Sequence, residues 1–266
     1  MNPQIIFSDI DGTFLTNDHR VTKHTAEAVQ KLLARDIPFV LVSARMPEAI
    51  YPITAGMGIT LPIISYSGGL VLTETGEELY EKRLPPVPCR QVLADIENRW
   101  PEVTVNYYAG HRWYVQEIDA AVQREMDITH ATAEVADFHG LMERSILPHK
   151  ILAMAKPTHC EEMERTLSAE YPELNVVRSS SILLEIMDKT VSKATGIEVM
   201  LKHFGLAPTS AVAFGDNYND VAMLKYVGCS VAMGNAPDEI KKLAKEVTAG
   251  NEEDGIYRWL RDKKII

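Results

Sequence analysis

The sequence predicts an α/β fold: a Rossmann-like parallel-sheet core interrupted by an inserted α+β domain. Three observations carry this. Short apolar runs that read as buried strands alternate with amphipathic helical stretches at both ends of the chain, at Ile5–Phe7, Phe39–Val42, Pro62–Ser65, Ala211–Phe214 and Ser230–Ala232. Between them lie about 100 residues of hairpin-and-helix texture, which is enough for a domain. Acidic, hydroxyl and glycine residues follow directly on several of the apolar runs, and the carboxyl ends of parallel strands are where open α/β sheets bind ligands.

In chain order, Ile5-Ile6-Phe7 runs into Ser8-Asp9-Ile10-Asp11-Gly12-Thr13, two carboxylates one residue apart beside a glycine that permits a sharp turn. Thr22 is placed to cap a helix from Lys23 to Arg35, whose Ala26, Val29, Leu32 and Leu33 share a stripe. Asp36-Ile37-Pro38 ends it, and the strand Phe39–Val42 leads into Ser43-Ala44-Arg45, with Pro47 opening another helix. The strand Pro62–Ser65 reaches Ser67-Gly68-Gly69, and Leu70–Leu72 with Leu79–Lys82 reads as a hairpin. Pro85-Pro86-Val87-Pro88 reads as a linker, because three prolines stiffen the chain and remove ladder donors. Beyond it come a helix at 91–99, strands at 104–108 and 112–115, a strand at 151–154, a helix at 161–171, and strands at 175–178 and 182–187. The division is therefore a core of 1–83 and 188–266 and an insertion of 84–187. The parallel pattern resumes with Ser192 capping a helix from Lys193 to Phe204, then the strand 211–214, Gly215-Asp216-Asn217-Tyr218-Asn219-Asp220, the strand 230–232, and a helix from Pro237 to Ala244.

The 266 residues are 46% hydrophobic and 24% charged, with a net charge of −10. That balance argues against nucleic acid and anionic membrane as partners, which call for a basic face. No apolar run approaches the ~20 residues needed to span a bilayer, and no basic-then-apolar leader opens the chain. Cys89, Cys160 and Cys229 are few, scattered and odd in number. A reducing, cytoplasmic setting is expected.

Asp9, Asp11, Asp216 and Asp220 would meet if their strands are neighbours, and packed anions repel unless a cation shares them. An all-oxygen set without Cys or His favours Mg²⁺. The alternative is that 216–220 forms only a turn and helix cap. Ser43 can meet a phosphate oxygen with its hydroxyl and nearby amides. Lys193 opposes the macrodipole at the first turn of its helix, so it has a purpose other than helix stability, unless it is simply solvated. Arg45 is either a second cation or a surface residue. A carboxylate nucleophile, a metal, a hydroxyl and a lysine are together what phosphoryl transfer through an aspartyl-phosphate requires. Tyr107, Tyr108, Trp113 and Tyr114 are read as cross-strand packing rather than a substrate pocket. His111, His130, His139 and His149 lack ligand spacing.

Asp9-Ile10-Asp11-Gly12-Thr13, Ser43, Lys193 and Gly215-Asp216-Asn217-Tyr218-Asn219-Asp220 resemble, in order, the four motifs of the haloacid dehalogenase superfamily of phosphatases. The insertion, Leu184-Glu185-Ile186 and Asp254-Gly255-Ile256 resemble the Cof-type sugar-phosphatase branch with its large α/β cap. The resemblance implies a Mg²⁺-dependent phosphatase of small phosphorylated metabolites. Asp9 would be nucleophile and metal ligand, Asp11 the general acid/base that reaches the metal through its backbone carbonyl, and Asp216 a second carboxylate ligand. Ser43, Ala44, Arg45, Lys193 and Asn219 would hold the phosphoryl group, and Asp220 would support the metal shell or Lys193. A phosphomutase shares the constellation, and a phosphometabolite-binding protein without catalysis is a further alternative. Ser43-Ala44-Arg45 stands where many relatives have Thr-Gly-Arg, and Ser67-Gly68-Gly69 where many have Asn-Gly-Ala; the second change bears on substrate identity.

Overall fold

The computed structural model describes residues 3–266. The chain divides into two compact units: one holds the chain up to Arg45, Ile50–Tyr80 and Ser192–Ile266, the other Met46–Ala49 and Glu81–Val191.

The first unit opens with β1 (Ile5–Asp9), α1 (Lys23–Leu33), β2 (Phe39–Val42), α2 (Tyr51–Ala55), β3 (Ile63–Ser65), β4 (Leu70–Leu72) and β5 (Glu78–Glu81). Thr22 caps α1 by accepting from the Thr25 amide at 3.1 Å. Asp36 stops the chain after α1 in a left-handed conformation, which Asp tolerates better than most side chains.

The second unit contains α3 (Pro86–Arg99), β6 (Thr104–Ala109), β7 (Arg112–Val115), α4 (Ala120–Thr129), β8 (Ala133–Val135), α5 (Phe138–Glu143), β9 (Lys150–Met154), α6 (Pro157–Glu170), β10 (Leu174–Ser180) and β11 (Leu183–Asp188). The proline run is thus no linker: Pro86 and Pro88 sit in the first turn of α3. The first-turn amides of a helix have no intrahelical acceptor, so a proline there loses nothing and presets φ. Pro157 opens α6 in the same way, earlier than the expected start. Two helices and a strand lie where the sequence reading had none. Both helices start at an aspartate cap, Asp119 accepting from the Ala121 and Val122 amides and Asp137 from His139 and Gly140. The six strands run in the order β10-β11-β9-β6-β7-β8. One sheet face packs Tyr107, Ile151, Ala153, Leu184 and Ile186 against Cys89, Val92 and Ile96 of α3 and Cys160, Met163 and Leu167 of α6. The aromatics pair across β6 and β7, Tyr107 opposite Tyr114 and Tyr108 stacked on Trp113 at 5.5 Å. They pack as expected, and all four are buried.

The first unit resumes with α7 (Lys193–Phe204), β12 (Ala211–Gly215), α8 (Val221–Tyr226), β13 (Cys229–Ala232), α9 (Asp238–Leu243), β14 (Glu246–Val247) and α10 (Gly255–Asp262). Its eight strands run β14-β13-β12-β1-β2-β3-β4-β5. From β14 to β3 every pairing is parallel, and β4 turns antiparallel. On one face Ile5, Phe7, Val40, Ala211 and Ala213 meet Ile197, Met200 and Leu201 of α7 and Met223 of α8. On the other, Phe214 meets Trp259 of α10 edge-on and Phe39 meets Phe14. Each buried Ile, Val, Leu, Met or Phe among them contributes about 1.5–3 kcal/mol by burial. This three-layer packing fixes β1 and β12 as direct neighbours, Ser8 beside Phe214, so their carboxyl ends stand side by side.

Candidate active site

β1 is buried throughout and ends at Asp9, which is 6% exposed. A wide turn follows, closed by the Leu15 amide on the Ile10 carbonyl at 2.9 Å. Gly12 takes φ +79 there, and a Cβ at this position would stand 2.5 Å from Asp216 Oδ2. Glycine is required both by backbone and by space. Next to it the Thr13 hydroxyl donates to Asp216 Oδ1 at 2.6 Å, tying the turn after β1 to the end of β12.

Beyond β12, Asp220 folds back so that its Oδ2 accepts from the Asp216 and Asn217 amides at 2.9 and 3.0 Å. Its other oxygen, Oδ1, accepts from Lys193 Nζ at 2.6 Å. Lys193 is the first residue of α7, placed by the Ser192 cap on the Thr195 amide, and is 1% exposed. Its ammonium also donates to Asp9 Oδ1 at 2.5 Å. The solvated-lysine alternative is thereby removed. Gly68 makes room for this helix start: with φ +104, its Cβ would lie 2.1 Å from the Ser192 carbonyl.

Asp9, Asp216 and Asp220 each bring a carboxylate oxygen within 4.8 Å of the others. Burial alone would push the Lys193 ammonium down, but the charges of Asp220 and Asp9 override it and hold it protonated. Burial, then the charge of Asp220, push Asp9 well above the ordinary carboxylate range against the pull of Lys193. Burial likewise pushes Asp216 up to about 6; Asp220 adds to this and the Thr13 hydroxyl opposes it. One ammonium shared among three carboxylates leaves the cluster short of positive charge. Hard oxygen donors in that condition fit a small divalent cation such as Mg²⁺.

Asp11 is not in this cluster. Its side chain is half-exposed and takes two bonds from Arg45, Nε to Oδ2 at 2.9 Å and Nη2 to Oδ1 at 2.5 Å, with His19 Nδ1 at 3.7 Å. Arg45 is therefore paired with Asp11, a guanidinium held by both of its carboxylate oxygens. Ser43 directly follows β2, is 2% exposed, and accepts from the Arg45 amide at 3.1 Å. Ala44 and Arg45 are half-buried beside it, and Asn219 is exposed in the turn after β12. The sequence reading passed over Asn235, whose Nδ2 donates to the Gly12 carbonyl at 2.9 Å. Its signal was position: it follows β13 as Asp216 follows β12.

The sequence profile of the haloacid dehalogenase-like hydrolases matches residues 6–260. A putative phosphatase of Haemophilus influenzae is 34% identical over 259 residues, spanning 97% of each chain. The 5-amino-6-(5-phospho-D-ribitylamino)uracil phosphatase of Bacillus subtilis is 29% identical, covering 98% of this chain and 97% of its own. A sugar phosphatase of subclass IIB of the same superfamily superposes with a TM-score of 0.85 at 25% identity, over 99% of this chain and 100% of that one. The chain belongs to the haloacid dehalogenase-like hydrolases. Within them it is a phosphatase of the Cof-type branch.

Proposed function

We propose that the protein is a Mg²⁺-dependent phosphatase of small phosphomonoesters, phosphorylated sugars or related metabolites, that works through an aspartyl-phosphate on Asp9. The observation that carries this is the buried Asp9–Lys193–Asp220 chain, with both bonds to the ammonium at 2.5–2.6 Å. It aims one carboxylate oxygen of Asp9 while leaving the other for phosphorus. In this reading Asp9, the Asp11 carbonyl and Asp216 hold Mg²⁺, which when bound offsets charge on the phosphoryl oxygens and orients them for in-line attack. Asp9 attacks phosphorus and the ester oxygen leaves with a proton from Asp11. Asp11 then takes a proton from the water that cleaves the acyl-phosphate bond. Arg45 orients the Asp11 carboxylate by its two bonds. Ser43, Ala44, Arg45, Lys193 and Asn219 hold the phosphoryl oxygens, and Asp220 keeps Lys193 charged and aimed. The inserted unit, residues 84–187 in the sequence reading, selects among esters.

The three cysteines are buried and unpaired, which suits a reducing compartment and supports a cytoplasmic setting. Among the described residues no helix is long and apolar enough to cross a membrane.

The test uses nitrophenyl phosphate with Mg²⁺. Asp9→Asn should lose about four decades of turnover, roughly 5.5 kcal/mol of barrier, and show no burst. Asp11→Asn loses ~10²–10⁴-fold in steps that need a proton moved. A nitrophenolate leaves without acid help, so this variant should release close to one equivalent of nitrophenol in a burst and retain phosphate on Asp9 by mass spectrometry. A burst from Asp9→Asn, or phosphate on another residue, would overturn the assignment. Transfer of phosphate to a second sugar position in place of inorganic phosphate would mark a phosphomutase.

A further inference from the structure

The turn that carries Asp11, Gly12 and Thr13 presents two backbone carbonyls, Gly12 and Leu15, to a neighbouring segment. Both are met by side-chain amides from the far end of the chain. Asn235 Nδ2 donates to the Gly12 carbonyl at 2.9 Å, and Asn251 Nδ2 donates to the Leu15 carbonyl at 3.0 Å and to Asn17 Oδ1 at 3.1 Å. The two asparagines are linked: the Asn251 amide donates to Asn235 Oδ1 at 3.1 Å. The Asn17 amide closes the set on Glu252 at 2.5 Å. A carboxamide offers a donor and an acceptor on one planar group, and Asn235 uses both at once. Aspartate would keep the acceptor and place an oxygen against the Gly12 carbonyl.

The pinned stretch also bears the Thr13 hydroxyl that fixes Asp216 and the glycine against which Asp216 rests. Asn235 therefore holds the backbone of the turn against which Asp216 rests. Yet it is exposed and makes little of the core, whereas Asn251 behind it is 6% exposed. We propose that Asn235, braced by Asn251, is a positioning residue that sets the spacing of Asp9 and Asp216 for Mg²⁺ and hence for phosphoryl transfer. This rests on the function proposed above for its kinetic consequence, though not for its effect on Mg²⁺ binding.

The full-length protein is compared with Asn235→Ala and Asn235→Asp. The readouts are Mg²⁺ affinity by calorimetry without substrate, kcat and KM for nitrophenyl phosphate at saturating Mg²⁺, and the urea midpoint. Both variants should bind Mg²⁺ about tenfold more weakly and lose about tenfold in kcat, with KM within about twofold, the scale of one hydrogen bond lost at a positioned group. The urea midpoint without metal should stay at the wild-type value. Wild-type Mg²⁺ affinity in both variants would overturn the proposal. So would wild-type behaviour in Asn235→Asp alone, since the contact to Gly12 would then be idle. Losses matched by an equal fall in the midpoint would make Asn235 merely structural, and also overturn it. If the wild-type protein bound Mg²⁺ yet hydrolysed no ester, the proposed function would fail while the calorimetric comparison still decided the role of Asn235.

Discussion

Replacing Asp216 by asparagine should stabilise the metal-free protein while abolishing its response to Mg²⁺. The substitution keeps Oδ1 as acceptor for Thr13 and removes only the charge. Asp216 is pushed up to about 6 from 3.8 by burial, with the charge of Asp220 adding to it. Because the folded value is raised, the group's favourable contribution is complete below pH 3.8 and is lost as pH rises through about 6. The gap corresponds to about 3 kcal/mol, or roughly 2 once partial exposure is allowed for. In urea denaturation with chelator, Asp216→Asn should match wild type near pH 4 and exceed it by about 2 kcal/mol at pH 8. With Mg²⁺ the order should reverse, because wild type gains about 2.7 kcal/mol at a hundred times its dissociation constant and the variant gains nothing. A metal-free difference that does not grow between pH 4 and 8, or a variant still stabilised by Mg²⁺, would refute the account of a charge-deficient cluster.

Lys193→Met takes the one buried cation from between Asp9 and Asp220 and should destabilise the metal-free protein by about 3–5 kcal/mol at pH 7.5. The loss should shrink under acid as Asp9, which burial and the charge of Asp220 push up, takes its proton, and urea titrations at two pH values would show it. His149 is fully buried in the second unit, its Nδ1 accepting from the Gly110 amide at 3.0 Å. Burial, with Arg83 and His111 nearby, pushes it down to about 3. The unfolded chain therefore binds the extra proton between pH 6.5 and 3, and stability should fall as pH drops through that window by an amount on the order of 5 kcal/mol. His149→Asn should flatten that limb of the pH–stability curve.

The parallel strands β1, β2, β3, β12 and β13 were legible because each is a short, mainly apolar and buried run, whereas β14 is two partly exposed residues that carry no such signal. The acids of the candidate site were legible because they sit just past β1 and β12, and Lys193 because it stands against the dipole at the start of α7. The proline run misled because proline at a first helical turn and proline in a linker look alike locally; only the burial of Cys89, Val92 and Ile96 behind Pro86 separates them. The helix α4 escaped because Val122 is its one buried side chain, leaving no apolar stripe. Asp119 and Asp137 were the available signals, each an aspartate positioned to cap a helix. Arg45 could not be assigned because its partner, Asp11, is 34 residues away and is reached only through the β1–β2 pairing. Asn235 offered only its position after β13, because what it holds is a backbone carbonyl and no residue type announces one.

The adjacency of β1 and β12 has a consequence for synthesis. Thr13 and Asp216, joined by one hydrogen bond, are 203 residues apart. At ~5–20 residues per second, about 10–40 s pass on the ribosome between the emergence of one and of the other. Throughout that interval the β12-facing side of β1, wholly buried in the finished protein, is an unpaired sheet edge. The entire second unit is made in the meantime and can fold first. Asp9 and Asp11 thus wait as a lone pair of carboxylates, with Lys193, Asp216 and Asp220 not yet translated. The nascent chain can acquire neither the Lys193 ammonium nor the carboxylates of Asp216 and Asp220 until the sheet closes, so the buried charge cluster is assembled late in synthesis.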